Sequence, residues 1–163
     1  MLPIRSILYP TDFSESSDYV FHLACALARD YGARLLVLHV TPPPMVVYAG
    51  GVVLPLSDRD KEEQWDKLRR LRARNPRVQV EHRLVEGEPA EAILRVARET
   101  GCDLILMGTH GRTGLGRLLM GSVAEQVVRK APCPVLTVKT PLPAAASAPG
   151  QTAGVPEATR VAP

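Results

Sequence analysis

Between residues 4 and 139, short apolar runs alternate with longer segments whose apolar residues recur at helical spacing. This βαβα rhythm predicts a parallel sheet covered by helices on both faces, because each parallel strand needs a crossover connection that packs back onto the sheet. Ile4 to Tyr9 reads as the first strand, ended by Pro10-Thr11-Asp12, and Ser14 is placed to cap a helix with Val20, Leu23, Ala24, Leu27, Ala28 and Tyr31 on one face. Gly32 stops that helix, and Arg34 to Val40 carries the nearly continuous apolar run of a strand buried on both sides. Thr41 to Pro55, with Pro42-Pro43-Pro44 and Gly50-Gly51, reads as a long loop or flap.

Ser57 then offers a cap to a helix that is acidic at its start and basic through Arg74 at its end, as the helix dipole favours, with Trp65, Leu68 and Leu71 facing inward. Its charges read as a solvated face. Val78 to Val85 alternates as a third strand, Pro89 opens a third helix with Ile93, Val96 and Ala97 inward, and Gly101 ends it. Asp103 to Met107 is a fourth strand, followed by a loop holding Gly108, Gly111, Gly114, Gly116 and Gly121. A last helix carries Met120, Val123, Ala124, Val127, Val128 and Ala131 on one face. Pro132-Cys133-Pro134 breaks it, and Val135 to Val138 forms a fifth strand.

The 163 residues suit one domain, over residues 1–140. Residues 141–163 hold five prolines and seven alanines, with only Glu157 and Arg160 charged, and are expected to be a disordered tail. A formal net charge of +3, spread along the chain, speaks against nucleic-acid binding. The amino terminus, with Arg5 and a short apolar run leading into a turn, fits neither a signal peptide nor a membrane span, so a cytoplasmic protein is expected. Cys25, Cys102 and Cys133 are odd in number and include no CxxC pair, which predicts free thiols rather than a disulfide framework or a zinc site; a redox-sensing Cys133 in the Pro132-Cys133-Pro134 stretch is the alternative.

The glycine loop carries the functional signal. In an open α/β sheet, ligands sit beyond the carboxyl ends of the strands, where successive connections leave in opposite directions. Glycines there allow positive φ and let backbone N–H groups approach phosphate oxygens, and the following helix adds its N-terminal partial charge. Gly108 and Gly111 are expected to form the turn, Gly121 the approach to the helix, and Ser122 both a cap and a hydroxyl donor. The alternative is that the glycines only make turns. Gly116 to Ser122 has GxxxxG spacing but lacks the P-loop lysine, and Gly114-Leu115-Gly116 does not complete a dinucleotide GxGxxG.

Gly108, two residues, Gly111, nine residues and Gly121-Ser122 match the spacing of the nucleotide-binding branch of the universal stress protein family. Four ordered blocks extend the resemblance over residues 1–139: Tyr9-Pro10-Thr11-Asp12-Phe13-Ser14, Leu38-His39-Val40, Met107-Gly108-Thr109-His110-Gly111 and Pro132-Cys133-Pro134-Val135-Leu136. The resemblance implies an open five-stranded parallel sheet of order 3-2-1-4-5, with Thr11-Asp12 facing Gly108 across the switch point. It implies that Pro10, Thr11, Asp12, Val40 and Met107 line the nucleoside end of an ATP site, with the Asp12 carboxylate near the ribose and the backbone at Val40 against adenine. It also implies that Gly108, Gly111, Gly121, Ser122 and Val123 hold the phosphates; Mg²⁺ is expected to accompany a bound triphosphate. A carboxylate suits two ribose hydroxyl donors on chemical grounds alone. Asp12 as a helix-start residue is the alternative.

Arg112 and Arg117 are within the same loop and could reach a triphosphate or remain solvated. His110 has no evident nucleophile or carboxylate partner for catalysis, His39 reads as a core or strand-end residue, and His22 and His82 carry no signal. The function expected from these features is that of an ATP-binding regulatory or stress-response protein. The alternatives are a slow ATPase or nucleotidyl-transfer enzyme, or a sensor of AMP or a cyclic nucleotide. The family resemblance further implies a homodimer through antiparallel pairing of Val135 to Val138, an apolar edge that gains from being covered.

Overall fold

The structure, a computed structural model, describes residues 3–41, 58–109 and 121–139. Nine elements follow in strict alternation: β1 (Ser6–Thr11), α1 (Glu15–Tyr31), β2 (Arg34–Thr41), α2 (Asp58–Arg70), β3 (Val80–Glu86), α3 (Pro89–Thr100), β4 (Leu104–Gly108), α4 (Ser122–Lys130) and β5 (Val135–Val138). All five strands are parallel, in the order β3-β2-β1-β4-β5. The expected architecture and strand order are both present.

The apolar strands divide their side chains between two cores, because successive residues of a strand point to opposite faces. Ile7, Tyr9, Leu35, Val37, Leu104 and Leu106 pack with Val20, Phe21 and Ala24 of α1 and Leu68 of α2 on one face. Leu8, Leu38, Ile105 and Met107 pack with Ile93, Val96 and Ala97 of α3 and Ala124 and Val127 of α4 on the other. A strand buried on both sides is apolar at most positions, which is why β1, β2 and β4 read as nearly continuous runs, with the buried polar residues Ser6, Thr11, His39 and Thr41 at or near strand ends.

Several boundaries differ from those read in the sequence. Strand β1 begins at Ser6 rather than Ile4 and runs through Pro10 to Thr11, which pairs with His39. Proline is tolerated because pairing with β4 extends only over Ile7 and Leu8, so its missing N–H interrupts no ladder on that side. Helix α2 ends at Arg70 rather than Arg74. Residues 71–79 then form an irregular link in which the Leu71 carbonyl lies 2.8 Å from His82 Nε2 and the Asn75 carbonyl accepts the Val78 N–H at 3.1 Å. Strand β3 therefore starts at Val80, where pairing with Leu35 begins. Asp103 precedes β4 instead of opening it, its carboxylate accepting the N–H groups of Arg5 and Ser6 at 2.8 and 2.9 Å.

Gly32 ends α1 as expected, at φ +64°, a left-handed conformation in which its N–H reaches Arg29 O and the Ala33 N–H reaches Ala28 O. The three cysteines are free. The expected flap beyond Thr41, the Ser57 cap, the loop from His110 to Met120 and the tail from residue 141 lie outside the described residues.

Candidate functional site

Strands β1 and β4 pair only over Ile7–Leu8 and Leu104–Ile105, and a crevice of about 350 Å³ opens at their carboxyl ends. Connections leave β1 towards α1 on one face and β4 towards α4 on the other, so the crevice sits at the switch point of the sheet. Its volume lies in the range of small-molecule sites.

Of the residues expected at the nucleoside end, Pro10, Thr11, Asp12, Val40 and Met107 all line this crevice. Of those expected at the phosphate end, Gly108, Gly121, Ser122 and Val123 line it too. Gly111 and Arg112 lie outside the described residues, as do His110 and Arg117.

The turn that aims Asp12 is built by side chains. Thr11 Oγ1 accepts the Phe13 N–H at 3.2 Å, and Asp12 Oδ1 accepts the Ser14 N–H at 3.1 Å, two overlapping side-chain turns in succession. Between them Phe13 is driven to φ +60°, a conformation costly for a residue with a Cβ. Its ring packs against the His39 imidazole with centroids 4.2 Å apart. Asp12 Oδ1 also accepts the hydroxyls of Ser14 at 2.7 Å and Ser17 at 2.6 Å. Asp12 is thus both a helix-start residue and a crevice residue.

Ser14 is the N-cap of α1, as expected, but makes no side-chain cap bond because its hydroxyl is directed to Asp12. Ser122 is the first residue of α4 and not its cap. The cap is Gly121, whose carbonyl accepts the Glu125 N–H at 2.9 Å. The N–H groups of Ser122, Val123 and Ala124, in the first turn of the helix, have no acceptor within it. They lie where α4 meets the crevice.

Gly121 does not use positive φ; its backbone angles are −59° and 148°. What it provides is closeness. Its N–H donates to the Thr109 carbonyl at 2.8 Å, and a Cβ at this position would stand 3.3 Å from that same oxygen. The contact joins the two described ends of the segment between β4 and α4.

Leu38 and His39 from β2, Pro89 and Ile93 from α3, and Ser17, Thr109 and Ala124 complete the lining. Sequence reading placed Ile93 inward and Pro89 at a helix start, yet gave neither a place at the site. Only the tertiary arrangement brings α3 over the end of β2. His39 is buried as expected, and its Nδ1 lies 2.7 Å from the Thr11 carbonyl. Beneath the crevice, Tyr9 donates its hydroxyl to the Ser17 carbonyl at 2.7 Å. Burial pushes its phenol up to about 12, and the Asp12 and Asp18 carboxylates add to that rise against the lowering by Thr11 and Ser17.

The sequence and the fold find counterparts among known proteins. A universal stress protein of Methanocaldococcus jannaschii is 37% identical over 141 residues, covering 84% of this chain and 83% of that protein. A solved structure of a universal stress protein family member from Burkholderia pseudomallei is 35% identical with a TM-score of 0.67, covering 85% of this chain and 98% of that one. The universal stress protein of Archaeoglobus fulgidus, solved in complex with dAMP, is 25% identical with a TM-score of 0.61, covering 84% and 98%. The sequence profile of the universal stress protein family matches residues 3–139, from the residue before β1's lead-in to the residue after β5. With that profile spanning all nine elements, the chain belongs to the universal stress protein family.

Proposed function

We propose that this protein binds ATP, accompanied by Mg²⁺, in the crevice between β1 and β4 and acts in the cytoplasm as a nucleotide-dependent regulatory protein. The observation that carries the reading is the chemistry of the crevice walls. Apolar strand ends at Val40 and Met107 suit a purine, the Asp12 carboxylate suits ribose hydroxyls, and the open N–H groups at the start of α4 suit phosphate oxygens. Mg²⁺ needs few protein ligands when phosphates supply most of its oxygens, and Asp12 is the carboxylate among the described lining residues. Occupancy would act through stability and partner affinity, as any ligand bound only to the folded state does.

Titration calorimetry of the nucleotide-stripped protein with ATP and Mg²⁺ tests this. Saturable one-to-one binding supports the reading, and an absence of binding refutes it. Because the Archaeoglobus fulgidus relative is solved with dAMP, a monophosphate is a second candidate. AMP displacing bound ATP at comparable concentration would favour that ligand instead.

The proposed protein is a homodimer. Strand β5 is at an edge of the sheet, and Leu136 on it and Val128 on α4 are 41% and 43% exposed. Such an edge is a template for pairing, and a second copy placed antiparallel across a two-fold axis would cover it.

A further inference from the structure

At the end of the sheet opposite the crevice, the turns that enter β4 and β5 bring two thiols together. Cys102 follows α3, Cys133 follows α4, and their sulfur atoms are 3.6 Å apart. The two turns are pinned from both sides. Next to Cys102, Asp103 donates its N–H to the Ser6 carbonyl at 3.0 Å and holds the Arg5 and Ser6 N–H groups on its carboxylate. Next to Cys133, the Pro134 carbonyl accepts the Ile105 N–H at 3.0 Å, and Pro132 and Pro134 fix φ on either side of the thiol. The pairing of Ile105 with Val135 sets the turns in this register.

We propose that Cys102 and Cys133 are an oxidisable dithiol site that closes to a reversible intramolecular disulfide on reaction with a hydroperoxide. An S–S bond is about 2.05 Å long, so the sulfurs, 3.6 Å apart, have about 1.5 Å to close. The more exposed Cys133 is the first nucleophile, whereas Cys102 is only 6% exposed. The Cys133 thiolate attacks a peroxide oxygen, the O–O bond breaks, and the departing hydroxide takes a proton and leaves as water. Cys133 is then a sulfenic acid. The Cys102 thiolate attacks that sulfur, the S–O bond breaks, and the second hydroxide is protonated to water. In sum the two thiols give up two electrons and two protons, and hydrogen peroxide accepts both to become two waters.

Burial pushes both thiols up, Cys102 to about 12, and the Asp103 carboxylate adds to the rise at each. The neighbouring thiol raises Cys102 further, while the Thr100 hydroxyl lowers it. The site therefore reacts slowly at neutral pH and its rate increases about tenfold per pH unit below the thiol pKa values. Once formed, the bond ties the turn before β4 to the turn after α4, enclosing both elements in one covalent loop. Cys25 packs on the other face of the sheet, apart from the pair, and provides an internal comparison.

The test is peptide mapping of the full chain by mass spectrometry under non-reducing conditions after treatment with hydrogen peroxide and alkylation. The expected product is monomer lighter by two hydrogens, with Cys102 and Cys133 in one cross-linked peptide. It is reversed by dithiothreitol, forms faster at about pH 9 than at about pH 7, persists in Cys25→Ser and is absent in Cys133→Ser. Because the wild-type map is decisive without the variants, a Cys133→Ser protein that fails to fold does not weaken the test. A map in which Cys102 and Cys133 remain separately alkylated while Cys25 is oxidised overturns the proposal, as does one in which every disulfide joins two chains.

Discussion

His39 Nδ1 stands 2.7 Å from the carbonyl oxygen of Thr11, the residue with which His39 also pairs in the sheet. A carbonyl only accepts, so the imidazole carries its proton on Nδ1 and donates it. The bond holds the last residue of β1 in place just before the turn that aims Asp12. Replacing His39 by Phe keeps a ring against Phe13 but removes this second donor from the Thr11 carbonyl, which keeps its place in the β1–β2 ladder. The expected loss is about 0.5–1.5 kcal/mol of folding stability, the net worth of one hydrogen bond, read as a lower urea midpoint with an unchanged slope. An unchanged midpoint would mean that water replaces the imidazole without loss.

Asp12→Asn separates the two roles of Asp12. Asparagine keeps an oxygen to accept from Ser14 and Ser17, so the turn and α1 should persist with stability within about 1 kcal/mol of wild type. Loss of the charge should weaken binding of ATP roughly ten- to hundredfold, the range of a charge-assisted hydrogen bond. Titration of the variant, with 2′-deoxy-ATP as a comparison on the wild type, measures it. Equal affinities throughout would make Asp12 a structural residue only.

The elements were legible in the sequence because the central strands β1, β2 and β4 are buried on both faces and the helices on one, so their apolar patterns differ. Residue roles were less legible. Phe13 adopts positive φ although its own type disfavours it; the demand comes from the Thr11 and Asp12 side chains folding back on consecutive N–H groups, a pairing the sequence does not announce. Gly121 was readable as a glycine that something must approach closely, but the nearest atom is the Thr109 carbonyl, a partner set by where β4 ends and α4 begins. Cys102 and Cys133 are 31 positions apart and meet only through the β4–β5 register.

Gly121→Ala tests that closeness. The backbone angles at Gly121 suit alanine, so the only obstacle is the Cβ at 3.3 Å from Thr109 O. Alanine should cost about 1–2 kcal/mol through this crowding and its poorer capping, and the larger Gly121→Val should cost more. Thermal melts should rank wild type above alanine above valine. A valine variant as stable as wild type would show that the Thr109 carbonyl moves aside freely.

The edge strand gives a prediction about assembly. Leu136→Glu places a charge at an exposed position of β5, the strand at the edge of the sheet. The fold should be retained, with stability changed by less than about 0.5 kcal/mol, while a dimer paired through β5 would be opposed by like charges near the two-fold axis. Light scattering should report a dimer for wild type and a monomer for the variant. Equal masses for both would place any interface elsewhere.

Tyr9 makes stability fall in strong alkali. Its phenol titrates near 12 in the folded protein and near 10 when unfolded, because burial disfavours the phenolate. Below pH 10 the phenol is protonated in both states and its full contribution is present. As pH rises from 10 to 12, the unfolded chain releases a proton that the folded one keeps, and stability falls by about 2–3 kcal/mol from this residue. Cys102, also raised to about 12 but from an ordinary value of 9.0, adds a second proton over the wider window from 9 to 12. Tyr9→Phe should therefore start less stable by about 1 kcal/mol, the loss of the bond to the Ser17 carbonyl, and then lose stability more slowly with pH, by about one proton's worth of slope. Urea titrations at a series of pH values between 9 and 12 read both effects, and parallel curves for the two proteins would place the titrating group elsewhere.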